Sequence, residues 1–193
     1  AHLKLNKFGE TTNSEWDAAV NEIATQWKNG QIAGMVLDVR GNPGGYLESA
    51  VYLGSEFIEQ GKTIVTQETT DGNDRTYKVT SQGKLIGIPL NVLIDGGSAS
   101  ASEILAGALR DHKKATLIGQ KSFGKGSVQE ALDLKEGAGL HVTIAKWILP
   151  DGDWINGKGL EPEVAVENEV PEGNTITKET DAQLNEALRL ISE

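Results

Sequence analysis

The chain is expected to be an α/β protein, because short strand-like runs alternate along it with stretches of helical spacing. Three observations carry that reading. Gly34–Val39, Leu90–Ile94 and Ala115–Ile118 are brief apolar runs, as buried strands are, the first in the manner of a parallel sheet. Trp16, Val20, Ile23 and Trp27, and later Ala101, Ile104, Leu105, Ala108 and Leu109, recur at the spacing of a helix with one buried face. Thr63–Glu68 and Arg75–Ser81 flank Asp71-Gly72, a hairpin signal although the loop exceeds two residues.

In chain order, His2–Phe8 reads as a first strand with Leu3 and Leu5 on one face. Ser14 is the expected N-cap of the first helix, and Asn29-Gly30 ends it. The Gly34–Val39 strand runs out into Asp38-Val39-Arg40-Gly41-Asn42-Pro43-Gly44-Gly45, where Asp38 and Arg40 read as a strand-end pair. A second helix should carry Leu47, Val51, Leu53, Phe57 and Ile58 inward. After the hairpin, Leu90–Ile94 leads through Gly96-Gly97-Ser98-Ala99-Ser100 into the Ala101 helix. Gly119–Gln129 reads as a polar, glycine-rich loop, and Leu140–Leu149 as a long strand turning at Pro150-Asp151-Gly152. From Glu161 to Glu193 there are 9 acidic and 2 basic residues. This tail is expected to end in an amphipathic helix behind an Asp181 cap, with Leu184, Leu188 and Ile191 inward. The expected organisation is thus a core over residues 1–170 and an acidic extension over 171–193 packed on it.

Composition narrows the classes. At 193 residues the chain is long enough for a real core. A net charge of −10 argues against a nucleic-acid backbone as partner. The absence of cysteine excludes a thiol nucleophile, disulfides and Cys-ligated zinc. No cluster has metal-ligand spacing, so neither metal nor cofactor is expected.

Ser100 stands at the strand-to-helix turn. A helix N-terminus offers free N–H groups and a partial positive charge, which suit a developing oxyanion. The same Ser100-Ala101-Ser102-Glu103 run also fits a capping box, a purely structural use of the serine. Ser98 and Ser102 read as turn and helix-start residues. A histidine base is poorly supported: only His2, His112 and His141 exist, no Gly-x-Ser-x-Gly surrounds the serines, and His112 lies at a helix end. A lysine can serve instead if its amine is neutral, which burial among apolar groups favours. Lys125, in Ser122-Phe123-Gly124-Lys125-Gly126-Ser127-Val128-Gln129, is the candidate, with Phe123 and Val128 to desolvate it and Gln129 as a neutral partner. For Gln129 to reach the lysine the chain is expected to bend after Gly126, since four strand rises span about 13 Å. Gly119–Lys125 also matches the spacing of a nucleotide-binding P-loop, but Gly126 stands where the hydroxyl should follow.

The runs Gly96–Glu103 and Ser122–Gln129, with Asp38–Gly45 and Pro150-Asp151-Gly152…Gly159-Leu160-Glu161-Pro162 beside them, resemble the C-terminal processing (tail-specific) serine peptidases that use a Ser/Lys dyad. The similarity covers about Leu3 to Val166. It implies a crotonase or caseinolytic-protease type of α/β fold. It implies Ser100 as nucleophile, Lys125 as base and Gln129 as the residue assisting it, with the N–H groups of Ala101 and Gly45 as oxyanion donors. It implies protein or peptide C-terminal tails as substrates, held by strand addition, and is compatible with a homo-oligomer. It further implies an extracytoplasmic setting, such as a bacterial periplasm or cell envelope or a thylakoid lumen. Members usually carry a PDZ domain for the substrate tail, and no such glycine-rich loop precedes Leu3. The rival of another class is a non-catalytic binding module on the same fold, as in the interphotoreceptor retinoid-binding proteins.

Overall fold

A computed structural model describes residues 1–133, 139–168 and 176–192. Its elements are β1 (His2–Lys4), α1 (Thr12–Lys28), β2 (Met35–Asp38), α2 (Leu47–Gly54), β3 (Thr63–Thr69), β4 (Arg75–Lys78), β5 (Leu90–Ile94), α3 (Ala101–Asp111), β6 (Thr116–Gly119), β7 (Ser127–Asp133), β8 (Gly139–Ile148), β9 (Val164–Ala165) and α4 (Ala182–Ile191). Two sheets form the α/β frame. One is parallel throughout, in the order β1-β2-β5-β6-β9. The other is antiparallel, in the order β4-β3-β8-β7. The short apolar runs became the central strands β2 and β5, every residue of which is buried. Among the described residues no helix is long and apolar enough to cross a membrane.

The helix after Ser100 departs from expectation. It was expected to bury one face, yet every residue from Ala101 to Leu109 is buried, Ser102 and Glu103 included. The reason is its place: α3 packs against α2, against β6 of the parallel sheet and against β3 of the antiparallel one. A helix enclosed on all sides needs small residues where neighbours press closest. At Gly107 a Cβ would lie 2.5 Å from the Leu149 side chain. One apolar core, including Leu37, Leu53, Ile64, Leu105 and Trp147, therefore runs through both sheets and fixes where α3 begins.

Several boundaries also moved, the first strand ending at Lys4 and not at Phe8. Helix α1 starts at Thr12 behind Thr11, not behind Ser14, because the Thr12 hydroxyl accepts the Gly9 N–H at 2.8 Å and closes the entering turn. Helix α2 stops at Gly54, and the chain turns before Phe57 and Ile58, which are buried all the same. The Gly119–Gln129 loop is shorter than expected, since β7 begins at Ser127. A strand there also removes the P-loop reading, which needs a helix after the lysine. The tail helix α4 packs Leu184, Ala187 and Ile191 on Val36, Leu93 and Ile118, the face of the parallel sheet away from α3, while Leu188, expected inward, is exposed.

The Asp38–Arg40 pair links that tail to the core. Arg40 donates to both carboxylate oxygens of Asp38, at 2.9 and 2.6 Å, and to both of Asp181, at 2.9 and 2.8 Å. Asp181 in turn caps α4 through the Leu184 N–H at 3.0 Å. Burial alone would push the Asp38 pKa up, but the Arg40 hydrogen bonds and charge more than offset it and hold it far below the ordinary range. Asp181 is lowered for the same reasons.

A carboxylate lowered in the folded state adds stability above its unfolded value, near about 4, and loses it as pH falls through the folded value. Replacing Arg40 by Met should therefore cost about 3 kcal/mol in urea unfolding at neutral pH, by stranding buried Asp38. The gap to the unsubstituted chain should narrow as pH falls below about 4. A gap independent of pH would contradict the assignment.

Candidate active site

Ser100, Ala101, the Gly44-Gly45 segment and the backbone of Lys125 come together at the N-terminus of α3, where two loops close on the turn from β5. The Gly41–Gly45 loop is tied to this turn from several sides. Asp95 accepts the Gly41 N–H at 2.8 Å. The Asn42 carbonyl accepts the Ala99 N–H at 3.0 Å and the Ser102 hydroxyl at 2.9 Å. The Asn42 side chain accepts the Gly44 N–H at 2.9 Å and donates to the Leu5 carbonyl at 2.8 Å. Asn42 is wholly buried, and sequence reasoning did not single it out. The signal was its place within Gly-Asn-Pro-Gly-Gly, where a short amide can hydrogen-bond its own loop.

The three serines are separated by these bonds. Ser98 and Ser102 are wholly buried, and their hydroxyls donate to the carbonyls of Val39, at 2.8 Å, and Asn42. Both are engaged in structure, as expected. Ser100 alone is partly exposed, and its backbone has φ 54 and ψ −114. A serine in such a sparsely populated region costs about 1–3 kcal/mol, which the surrounding packing must hold. Ser100 and Glu103 also have the capping-box arrangement, though the Ser100 hydroxyl makes no cap hydrogen bond of good geometry. The reverse half is firm: the Ser100 N–H donates to Glu103 Oε2 at 2.9 Å.

Gly44 and Gly45 lie against this turn in backbone conformations that suit glycine. Gly44 has φ 98, and a Cβ on it would stand 2.9 Å from the Ala101 nitrogen and 3.0 Å from Ser100 Cβ. Gly45 has φ 140, and a Cβ there would lie 1.9 Å from the Phe8 carbonyl. That carbonyl is engaged by the Tyr46 N–H, while the Phe8 N–H donates to Gly44. Among the described residues, the N–H groups of Gly45 and Ala101 have no hydrogen-bond partner. They are two free donors on adjoining backbone.

Lys125 arrives on the loop between β6 and β7. Its N–H donates to Glu103 Oε2 at 2.8 Å, the same oxygen that holds Ser100 N–H. The Gly124 N–H donates to Glu103 Oε1 at 2.7 Å, and the Phe123 N–H to the Ser98 carbonyl at 3.0 Å. From the other side, the Gly126 carbonyl accepts Trp154 Nε1 at 2.8 Å, and Gly124 accepts the Gly157 N–H at 2.9 Å. The lysine's backbone is thus fixed beside the Ser100 turn.

Its side chain is not as expected. Lys125 and Gln129 are exposed, and Phe123 is 66% exposed, so the chain by itself does not bury the amine. Nor does the chain coil after Gly126. Gln129 sits in β7 opposite Thr143, and the irregularity between Val128 and Gln129 leaves the strand extended. The reason is the partner strand: β8 pairs with β7 from Ser127 onward, with one register shift between Val128 and Gln129, and keeps it within the sheet. Among the described residues, neither the Lys125 amine nor the Gln129 amide has a hydrogen-bond or ion-pair partner, and none gather three His, Cys, Asp or Glu side chains in a metal-binding group. His112 caps the end of α3 and meets the Thr63 carbonyl at 2.7 Å, away from this turn.

The model of peptidase family S41 matches residues 1–166. A carboxy-terminal-processing protease of Bartonella bacilliformis is 40% identical over 171 residues, 89% of this chain and 39% of that protein. The carboxy-terminal processing protease CtpB of Bacillus subtilis is 38% identical over 165 residues, 86% of this chain and 33% of that protein. The chain thus spans well under half the length of these relatives. Among solved structures, a photosystem II D1 C-terminal processing protease superposes with a TM-score of 0.77 at 33% identity, over 100% of this chain and 46% of that one. With the family model matched over most of its length, the chain belongs to peptidase family S41.

Proposed function

We propose that the chain is the catalytic core of a serine endopeptidase that cuts near the C-terminal tails of proteins through an acyl-enzyme. The observation that carries this reading is the strained, partly exposed Ser100 at the head of a buried helix, beside the unpartnered N–H groups of Ala101 and Gly45. In this reading Ser100 Oγ attacks the scissile carbonyl carbon and its proton passes to the Lys125 amine. The carbonyl oxygen, now an anion, is received by the two N–H groups. Collapse expels the leaving amine, which takes the proton from Lys125, and water then hydrolyses the ester on Ser100. Gln129 orients the lysine.

The exposure of Lys125 changes how its amine becomes a base. The substrate itself would cover Phe123 and Lys125 on binding and strip water from the amine. The substrate is an extended tail held by strand addition, and the resemblance to the C-terminal processing peptidases supports an extracytoplasmic setting for the whole protein. A non-catalytic module on the same fold would leave Ser100 unreactive.

Ser100→Ala should abolish cleavage of an unstructured fluorogenic peptide. Ser98→Ala should keep part of the activity, because its hydroxyl holds the turn and meets no substrate. Equal total loss in two folded variants would contradict Ser100 as the sole nucleophile.

Lys125→Arg should be inactive, because guanidinium stays charged and cannot take the serine proton. Gln129→Ala should be impaired more mildly, since an amide moves no proton. Full activity of Lys125→Arg would exclude the lysine as base.

Gly44→Ala should lower kcat by about 10²-fold with a small change in KM, by pressing a methyl group on the Ala101 donor. An unchanged kcat would remove Gly44 from the oxyanion geometry.

A further inference from the structure

Glu103 is a wholly buried carboxylate that the proposed chemistry does not use. It has no cationic partner among the described residues. What it has is four donors. Oε2 accepts the Ser100 N–H at 2.9 Å and the Lys125 N–H at 2.8 Å. Oε1 accepts the Ser122 hydroxyl at 2.5 Å and the Gly124 N–H at 2.7 Å. Ser122 Oγ also accepts the Leu160 N–H at 2.7 Å, so the set continues into the segment behind the lysine loop. Its place in the first turn of α3 adds the favourable end of the helix dipole.

A carboxylate has two oxygens with about four acceptor sites, and here all four are filled. An ordinary capping-box glutamate spends one bond on the N-cap residue. The other three bonds of Glu103 reach a loop some twenty residues further along the chain. Resting on the proposed function, we infer that Glu103 is a positioning residue that sets the separation of Ser100 and Lys125. One oxygen, Oε2, holds the backbone N–H of both, so the two residues cannot drift apart without breaking a buried, charge-assisted hydrogen bond. The same bond pulls on the backbone at Ser100, where φ is 54, and so helps keep its strained conformation.

Substitution by glutamine separates this role from simple packing. An amide of the same shape has one acceptor oxygen, and its NH₂ group faces donors wherever it is turned. At least one of the two turns is then released. The probe is a fluorophosphonate, with Ser100 labelling followed by mass spectrometry in time and in probe concentration. In Glu103→Gln the maximal labelling rate should fall by about 10²-fold, as for a misplacement near 1 Å, with the half-saturating probe concentration unchanged. A merely structural role would instead reduce the fraction of chains labelled and leave the rate of the folded fraction intact. Leu109→Ala, buried in the same helix but far from the turn, is the control for lost stability alone, and should show that second pattern.

Should Glu103→Gln fail to fold, Glu103→Asp decides the matter. It keeps the charge beside Ser100, but its shorter side chain cannot also span to residues 122–125, so slow labelling is again expected. Labelling of either folded variant at the rate of the unsubstituted chain overturns the inference alone. If the unsubstituted chain is not labelled at Ser100, or Ser100→Ala is labelled equally, the proposed function fails and the inference with it.

Discussion

The constraint on which the site depends is the enclosure of α3. A helix pressed between two sheets cannot shift along its axis without disturbing both, because interiors pack at crystal-like density. Its first turn therefore has a fixed place, and the chain must reach it from the end of β5 within Asp95–Ser100. The hydrogen bonds of Asp95, Ser98 and Asn42 take up the slack on one side. Those of Glu103 take it up on the other. Ser100 is left in a conformation that few serines adopt, partly exposed between buried Ala99 and buried Ala101.

That arrangement explains why so many small residues gather here. Gly44 and Gly45 bring backbone against backbone, where any side chain would occupy space already filled by Ala101 or Phe8. Close approach of two backbones is a way to aim N–H groups at one point without any side chain. The loop carrying Lys125 follows the same logic: it is anchored by its backbone to Glu103, Ser98 and the Ile155–Leu160 segment. Lys125 itself is exposed to whatever enters from solvent.

Much of this was legible in the sequence. The buried strands β2 and β5 announced themselves by short, mostly apolar runs, and the Ser100 turn by its glycines and serines between strand and helix. Ser100 and Glu103 were legible as a capping box because that pattern is local. The three bonds from Glu103 to Ser122, Gly124 and Lys125 were not, because long-range pairing leaves no spacing to read. The same holds for Arg40, whose partner Asp38 is two residues away and whose partner Asp181 lies across the fold. The all-round burial of α3 was hidden by its small residues: alanine, glycine and serine do not declare a face. The exposure of Lys125 was missed because apolar neighbours in sequence were taken to be neighbours in space. Lys125 precedes β7, Val128 packs toward the core, and Phe123 turns outward.

The central claim is that Ser100, Lys125 and two backbone N–H groups converge on one reacting carbonyl. The most direct measurement is a crystal structure of the chain after reaction with a peptidyl fluorophosphonate. The account requires the phosphorus bonded to Ser100 Oγ and its non-bridging oxygen about 2.7–3.1 Å from the N–H groups of Ala101 and Gly45. It also requires the Lys125 amine, covered by the peptide, within hydrogen-bond reach of Ser100 Oγ. An adduct on another residue, or an oxygen directed away from both N–H groups, would contradict it.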